Sequence, residues 1–354
     1  MLLIILTIFI IIWYIIRKIK NKKENYSSYK KITITPTRSV WMNLKLNTYH
    51  KNSLHHELGT ILAEIYPIRK VNISKNTYKS LQNTNKYINH LSLVDDTNYS
   101  HYIEKNTNNN IRFISSLGIE YFTLIVKSSS SFKNWFNLKG SKIGVFSKSD
   151  ASYKTLKKIL VSFDIQSVII HNIPITKEGI LKAFQQNKID AFFIITSHPN
   201  KNLHYINNIM KLRFIGINGL NKDKLKLIFP YFTFNKMDLS YYGKILDSSV
   251  ETIETRINLI CHKNSNRQEI CKLLETIFSN FIHFKIYGCT EYRLAMRPFN
   301  PSYIYLNYPF YKLHIGAKDY YHKIGLITDK NINSCKFKVG IGKCTKKVNH
   351  FRLL

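Results

Sequence analysis

Acidic side chains are scarce in this sequence: 21 Asp and Glu stand against 53 Lys and Arg, a formal net charge of +32 at neutral pH. A field of that sign favours anionic partners such as membrane surfaces, nucleic acid or acidic solutes. The lysines are nonetheless spread along the whole chain among many Asn, Ile and Tyr residues, as a coding bias towards A and T would leave them. Cysteine is sparse too. Cys261, Cys271, Cys289, Cys335 and Cys344 all fall in the last third, with no C-x-x-C and no zinc-finger spacing, so they indicate no metal site. In an oxidising compartment Cys335 and Cys344 would close a small terminal loop; in a reducing one they are plain thiols. No nucleophile-base pair, metal-ligand set or phosphate loop stands out, so no catalytic residue, metal or cofactor is assigned and an enzyme is the least supported class. The pair His55 and His56 beside Glu57 lacks the second histidine one turn on that H-E-x-x-H requires, and is read as a solvated helix start. Aromatic residues make up 13% of the chain. No RNP-like motif accompanies them, so they are assigned to core packing and nucleic acid is not an expected partner.

What is present is ordinary globular composition, 44% hydrophobic and 21% charged over 354 residues, enough for two α/β lobes with separate cores. Residues 1–17 precede them as an almost wholly apolar run ending in Trp13, Tyr14 and Arg17. Its first 16 residues span roughly 24 Å as a helix, which crosses a hydrocarbon core of ~30 Å if the terminal basic side chains snorkel. It is expected to be a single transmembrane anchor, since no positive segment precedes it and no small-x-small cleavage site follows. Residues 18–30 form a basic polar linker. Arg17, Lys18, Lys20, Lys22 and Lys23 place the rest of the chain in the cytosol by the positive-inside rule, whereas sequons at Asn25, Asn72 and Asn98 argue for the opposite side.

From Lys31 the pattern alternates between strand and helix. ITIT (residues 32–35) is a short strand, and HHELGTILAEIY predicts a helix with Leu58, Ile61, Leu62 and Ile65 on one face. Tyr78 to Ile88 predicts another helix, and LSLV a strand ending at Asp95 and Asp96, which are read as a turn or helix cap. Tyr121 to Val126 reads as a strand that delivers the chain to a second lobe. There LKGSKIGVF supplies a strand, SKSDAS opens a helix carrying Leu156, Ile159, Leu160 and Phe163, and a second helix starts near Thr176. IDAFFII is a continuous apolar run, as a strand buried on both faces of a parallel sheet would be. LRFIGI predicts a further strand, and Leu225 to Val250 reads as irregular. ETRINLICHKN is a strand returning to the first lobe, and Glu269 to Phe284 an amphipathic helix. Ligands of open α/β sheets sit beyond the carboxyl ends of strands, which points to Ser147–Ser152 and Thr196–Asn200.

Taken in order, LKGSKIGVFSKSDAS, NKIDAFFIITSHPN, INLICHKNSNRQEICKLLETIF and LHIGAKDYYHKIGLI resemble the TAXI solute-binding subunits of TRAP transporters. The resemblance runs from Lys31 to Ile327. It implies an α/β, two-lobed class II periplasmic-binding-protein-like fold behind the N-terminal transmembrane helix. Residues 31–126 and 263–354 would form lobe 1, and residues 127–262 lobe 2. It implies a non-enzymatic receptor closing on a small carboxylate or amino acid of the glutamate or dicarboxylate class. A membrane permease would be its partner, and the globular part would be extracytoplasmic. The ligand-binding set so implied is Arg38, Ser39, Ser53, Asp95, Ser147, Lys148, Ser149, Ser152, Thr196 and Ser197. Arg38 or Lys148 would pair with a carboxylate, and the serines would donate hydrogen bonds at a helix start. His198, within S-H-P-N, is expected to fix the turn. The glycine-rich loops of the family pattern are depleted here, with Asp150 where glycine is expected. That leaves open an interaction scaffold with a degenerate cleft, which side chains such as Trp41 or Tyr49 would fill.

Overall fold

The structure, a computed structural model, describes residues 44–49, 53–74, 76–106, 108–146, 151–229, 232–243, 248–280, 312–325 and 327. The expected anchor, the basic linker, the ITIT strand and the Cys335–Cys344 pair lie outside these residues. Among the described residues no helix is long and apolar enough to cross a membrane.

The first lobe begins with parallel strands β1 (Lys45–Thr48), β2 (Lys70–Ile73) and β3 (His90–Asp95). Their crossovers are α1 (Leu54–Ile65) and α2 (Thr77–Lys86). Helix α1 forms as its periodicity requires: Leu58, Ile61 and Leu62 are buried, and Ser53 caps it by accepting from the His56 N–H. After α3 (Asp96–Lys105) comes β4 (Ile111–Lys127), a strand of 17 residues whose side chains are buried on both faces almost throughout. It leaves the first lobe, pairs with the second, and so forms one of two bridges between them.

The second lobe contains β5 (Lys142–Val145), α4 (Ala151–Ser162), β6 (Ile169–Asn172), α5 (Lys177–Gln185), β7 (Ala191–Thr196), α6 (Lys201–Ile209), β8 (Leu212–Ile215), α7 (Gly219–Ile228) and β9 (Thr233–Asp238). The second bridge, β10 (Ser249–His262), pairs antiparallel first with β9, then with β4 and β3. Helices α8 (Arg267–Ser279) and α9 (Ile315–Lys323) complete the first lobe. The strands form one ten-stranded hydrogen-bonded path, β2-β1-β3-β10-β4-β7-β5-β6, with β8 added beside β4 and β9 beside β10.

Each lobe has a core on both faces of its part of the sheet. In the first lobe, Leu58 and Leu62 of α1 meet Leu273 and Leu274 of α8 and Tyr321 of α9 over Leu46, Leu91 and Leu259. Leu81, Tyr99 and Tyr102 cover the opposite face. In the second, Trp135, Leu156 and Phe163 pack on Phe122 and Phe193, while Phe184, Phe214 and Tyr242 pack around Phe192. Burial of such side chains contributes about 1.5–3 kcal/mol each.

Three local expectations change. IDAFFII is buried on both faces, but β7 runs parallel to β5 and antiparallel to β4, because the bridging strand enters the sheet from the other end. The stretch from Leu225 to Val250 contains the end of α7 and the whole of β9, an edge strand exposed along much of its length. His55, expected in a solvated helix start, is 5% exposed, since it points from the first turn of α1 into the molecule.

Candidate functional site

A cavity of about 430 Å³ draws its walls from both lobes, a size suited to a small molecule. Tyr49 follows β1, Asp95 ends β3, Phe146 follows β5, and Thr196 and Ser197 lie at the end of β7. The cavity therefore sits beyond the carboxyl ends of strands, where the chain turns into helices. As a result the helix starts also face it. Ser53, Asp95, Thr176 and Asn200, the N-cap residues of α1, α3, α5 and α6, all line it, as does Ser152 in the first turn of α4.

Of the residues expected to bind ligand, Ser53, Asp95, Ser152, Thr196 and Ser197 line the cavity. Arg38, Ser39, Ser147, Lys148 and Ser149 lie outside the described residues. Each lining residue also has a structural duty. Asp95 accepts from the Asn98 N–H at 2.8 Å and from Asn98 Nδ2 at 2.6 Å. Ser152 Oγ accepts from the Ile195 N–H at 3.3 Å, and Thr196 Oγ1 accepts from Asn200 Nδ2 at 2.9 Å. Ser197 Oγ donates to the Ile119 carbonyl at 2.8 Å, tying the β7 turn to β4. A hydroxyl or carboxylate so engaged retains acceptor capacity for a ligand. Tyr49 stands in the wall rather than filling the space, and Trp41 lies outside the described residues.

His198 holds the turn behind this wall. The Asn200 N–H donates to the Tyr242 hydroxyl at 2.7 Å, and that hydroxyl stands 2.5 Å from His198 Nδ1. On the other side His198 Nε2 meets Thr123 Oγ1 at 2.7 Å, and Thr123 Oγ1 lies 3.2 Å from the Tyr121 carbonyl. One assignment satisfies the whole chain: Tyr242 donates to Nδ1, Nε2–H donates to Thr123, and Thr123 donates to the carbonyl. Burial pushes the imidazole down to about 3, so it is neutral. The peptide bond to Pro199 is cis.

Among the described residues, the charged side chains of the lining are the carboxylates Glu57, Asp95, Glu120 and Glu178 and the ammonium groups Lys177 and Lys201. Burial raises the Asp95 pKa, while the hydrogen bonds from Asn98 act to lower it. Glu57, Asn98, Glu120, Lys177, Glu178 and Lys201 were not expected in the site. Glu57 and Glu178 had a usable signal, an acid in the first turn of a helix whose cap faces the site. Glu120 had none, being one polar residue inside an apolar strand. Among the described residues no group of three His, Cys, Asp or Glu side chains is placed to hold a metal ion.

Two α/β lobes joined by two long strands, with a small-molecule cavity at strand ends between them, define the periplasmic-binding-protein-like class. The chain belongs to the NMT1-like family, whose model matches residues 92–325. No curated protein matches the sequence. Solved structures with partial likeness include a TctC solute-binding protein from Polaromonas, at 11% identity, 72% of this chain, 87% of that one and a TM-score of 0.43. The periplasmic aliphatic sulphonate binding protein SsuA from Escherichia coli is 15% identical over 69% of this chain and 72% of that one, with a TM-score of 0.38. The arginine-, lysine-, histidine-binding protein ArtJ from Geobacillus stearothermophilus is 14% identical over 69% of this chain and 93% of that one, with a TM-score of 0.40.

Proposed function

We propose that this NMT1-like protein is a membrane-tethered, non-enzymatic solute receptor of the TAXI type, closing its lobes on one small organic molecule of the amino-acid class. The observation that carries this reading is the cavity itself, about 430 Å³ and lined from both lobes. Motion of the lobes about the β4 and β10 bridges would change its volume directly. Helix N-termini at the α5 and α6 caps favour a carboxylate, while the acids of the first lobe favour an ammonium group, so a zwitterion suits the site better than a dicarboxylate. A degenerate scaffold is the weaker reading, because Tyr49 leaves the cavity open. The anchor is residues 1–17, and receptor function requires the lobes to face the compartment from which solute is taken and handed to a permease. Protease accessibility of the lobes in sealed vesicles checks that placement.

A thermal-shift screen of the full chain in detergent with the common amino acids and with dicarboxylates tests the function. A true ligand at 100 times its Kd stabilises by about 2.7 kcal/mol. The shift disappears in Asn98→Trp, which places an indole in the cavity. Absence of any response from folded protein would sink the proposal.

A further inference from the structure

The three most exposed large apolar side chains among the described residues share one face of the second lobe. Leu220 is 86% exposed, Leu227 85% and Val161 77%, while the next, Ile169, is 55% exposed. Val161 stands near the end of α4, and the two leucines lie two turns apart on α7. These helices pack side by side on the same face of the sheet, where Leu156, Ile159, Leu225 and Phe229 share one core, whereas α5 and α6 cover the other face. A shallow groove runs between α4 and α7, lined by Lys157, Lys158, Val161, Ser162, Lys224 and Phe229. Lys224 lies one turn from each leucine, so it sets both beside the groove.

Helical spacing defines what this face carries. On α4, Lys154, Lys157, Lys158 and Val161 project opposite the buried Leu156, Ile159 and Leu160, and on α7, Leu220, Lys224 and Leu227 project opposite the buried Leu225. Every position from Lys154 to Val161 and from Leu220 to Leu227 is described, so the pattern belongs to the two helices themselves. Lys154, Lys157 and Lys224 form no ion pair with a described residue. Asp223 falls on the flank it shares with Lys226, whose ammonium lies over the Phe234 ring of β9, and Asp164, past the end of α4, accepts from Gln166 Nε2. A single exposed leucine needs no explanation, and lysine is common throughout this chain. Three apolar side chains exposed to this degree and interleaved with ammonium groups form a surface that suits a phospholipid headgroup layer. The lysines pair with lipid phosphates, and the apolar tips reach the acyl boundary. A soluble anion or a nucleic-acid strand would use the lysines and leave Leu220 and Leu227 in water.

We propose that the outer face of α4 and α7 is a docking surface for an anionic phospholipid bilayer. Lys154, Lys157, Lys158 and Lys224 meet the headgroups, and Val161, Leu220 and Leu227 enter the interface between them. The two components act together, because exposed ion pairs are screened by salt and three apolar side chains partition weakly alone. The inference is independent of what the cavity binds. Because α4 also reaches the cavity through Ser152 in its first turn, docking would fix one wall of the site relative to the bilayer.

Lysine acylation of the full chain in lipid nanodiscs, read residue by residue by mass spectrometry, tests this. Nanodiscs of phosphatidylcholine are compared with nanodiscs that also contain phosphatidylglycerol, so that any insertion of residues 1–17 is common to both. With the anionic lipid, modification of Lys154, Lys157 and Lys224 is expected to slow by about fivefold. No change is expected at the exposed Lys182 of α5 or Lys272 of α8. The double variant Leu220→Ser, Leu227→Ser, at positions too exposed to disturb the core, should lose most of the protection and keep its melting temperature. Equal rates in both lipids, or equal slowing at Lys182 and Lys272, would overturn the proposal. Protection by glycerophosphate in lipid-free detergent, or protection untouched by the serine variant, would assign the lysines to a soluble anion instead. Protection that rises with chain concentration in the absence of lipid would assign the face to a second copy of the chain, which also overturns it.

Discussion

His198 shows how one buried side chain makes the stability of the fold depend on pH. Its ordinary value of 6.5 is pushed down to about 3 in the folded protein. Between those values the unfolded chain takes up a proton that the folded chain refuses, so stability is present above pH 6.5 and lost as pH falls towards 3. From pH 7 to pH 4 the loss from this group is about 3 kcal/mol. His198→Gln is expected to lower stability at pH 7, through the lost bonds to Thr123 and Tyr242, and to shrink the further loss on going to pH 4. Denaturant melts at the two pH values check this, and an unchanged acid loss in the variant would refute it. At this scale much of the site was legible. Ser53, Asp95, Ser152, Thr196 and Ser197 line the cavity because they lie where helices start or a strand ends, and both are written locally in caps and apolar runs. Glu120 was not legible, since its place depends on where β4 crosses from one lobe to the other.

At the scale of elements, amphipathic helices were the most readable. α1 and α8 bury the faces their periodicity marks, α8 packing Ile270, Leu273, Leu274 and Ile277 as expected, while α2 buries the mostly polar Thr77, Ser80, Leu81 and Thr84. Strand direction was not readable, because an apolar run buried on both faces looks the same beside a parallel or an antiparallel neighbour. β9 was missed because its side chains are largely exposed and its position is dictated by its partner β10. The contact of α9 with α8 supplies a sharper test. His314 caps α9 by accepting from the Gly316 N–H at 3.1 Å and meets the Ser265 carbonyl at 3.1 Å. A Cβ on Gly316 would lie 2.1 Å from the Arg267 carbonyl oxygen, a backbone atom that cannot swing aside. Gly316→Ala is therefore expected to push the helices apart and destabilise by about 1–3 kcal/mol. A thermal melt would show a fall of roughly 2–4 °C for each kcal/mol, and an unchanged midpoint would contradict the packing.

At the scale of the whole molecule, the two-lobed α/β plan followed from the order of strand and helix signals along the chain. The placement of Glu57, Asp95, Glu120 and Glu178 in the described lining did not, because composition averages over the whole chain. The lobes are joined by β4 and β10, whose mutual pairing from Ile111 to Tyr121 is stiffened by buried polar contacts. Asp96 accepts from the Arg256 N–H at 3.0 Å and from Asn258 Nδ2 at 2.5 Å, and Asn258 accepts from Ser116 Oγ at 2.6 Å. Helix starts from both lobes line the cavity beside this bridge, and the proposed closure would bring them together on a ligand.

The most direct test of that claim is hydrogen exchange on the full chain with and without the solute selected by the screen. The account expects slowed exchange on both walls together, at Ser53–Glu57 and Asp95–Asn98 of the first lobe and at Thr176–Glu178 and Asn200–Asn202 of the second. Protection confined to one wall, or found only away from the cavity, would contradict it.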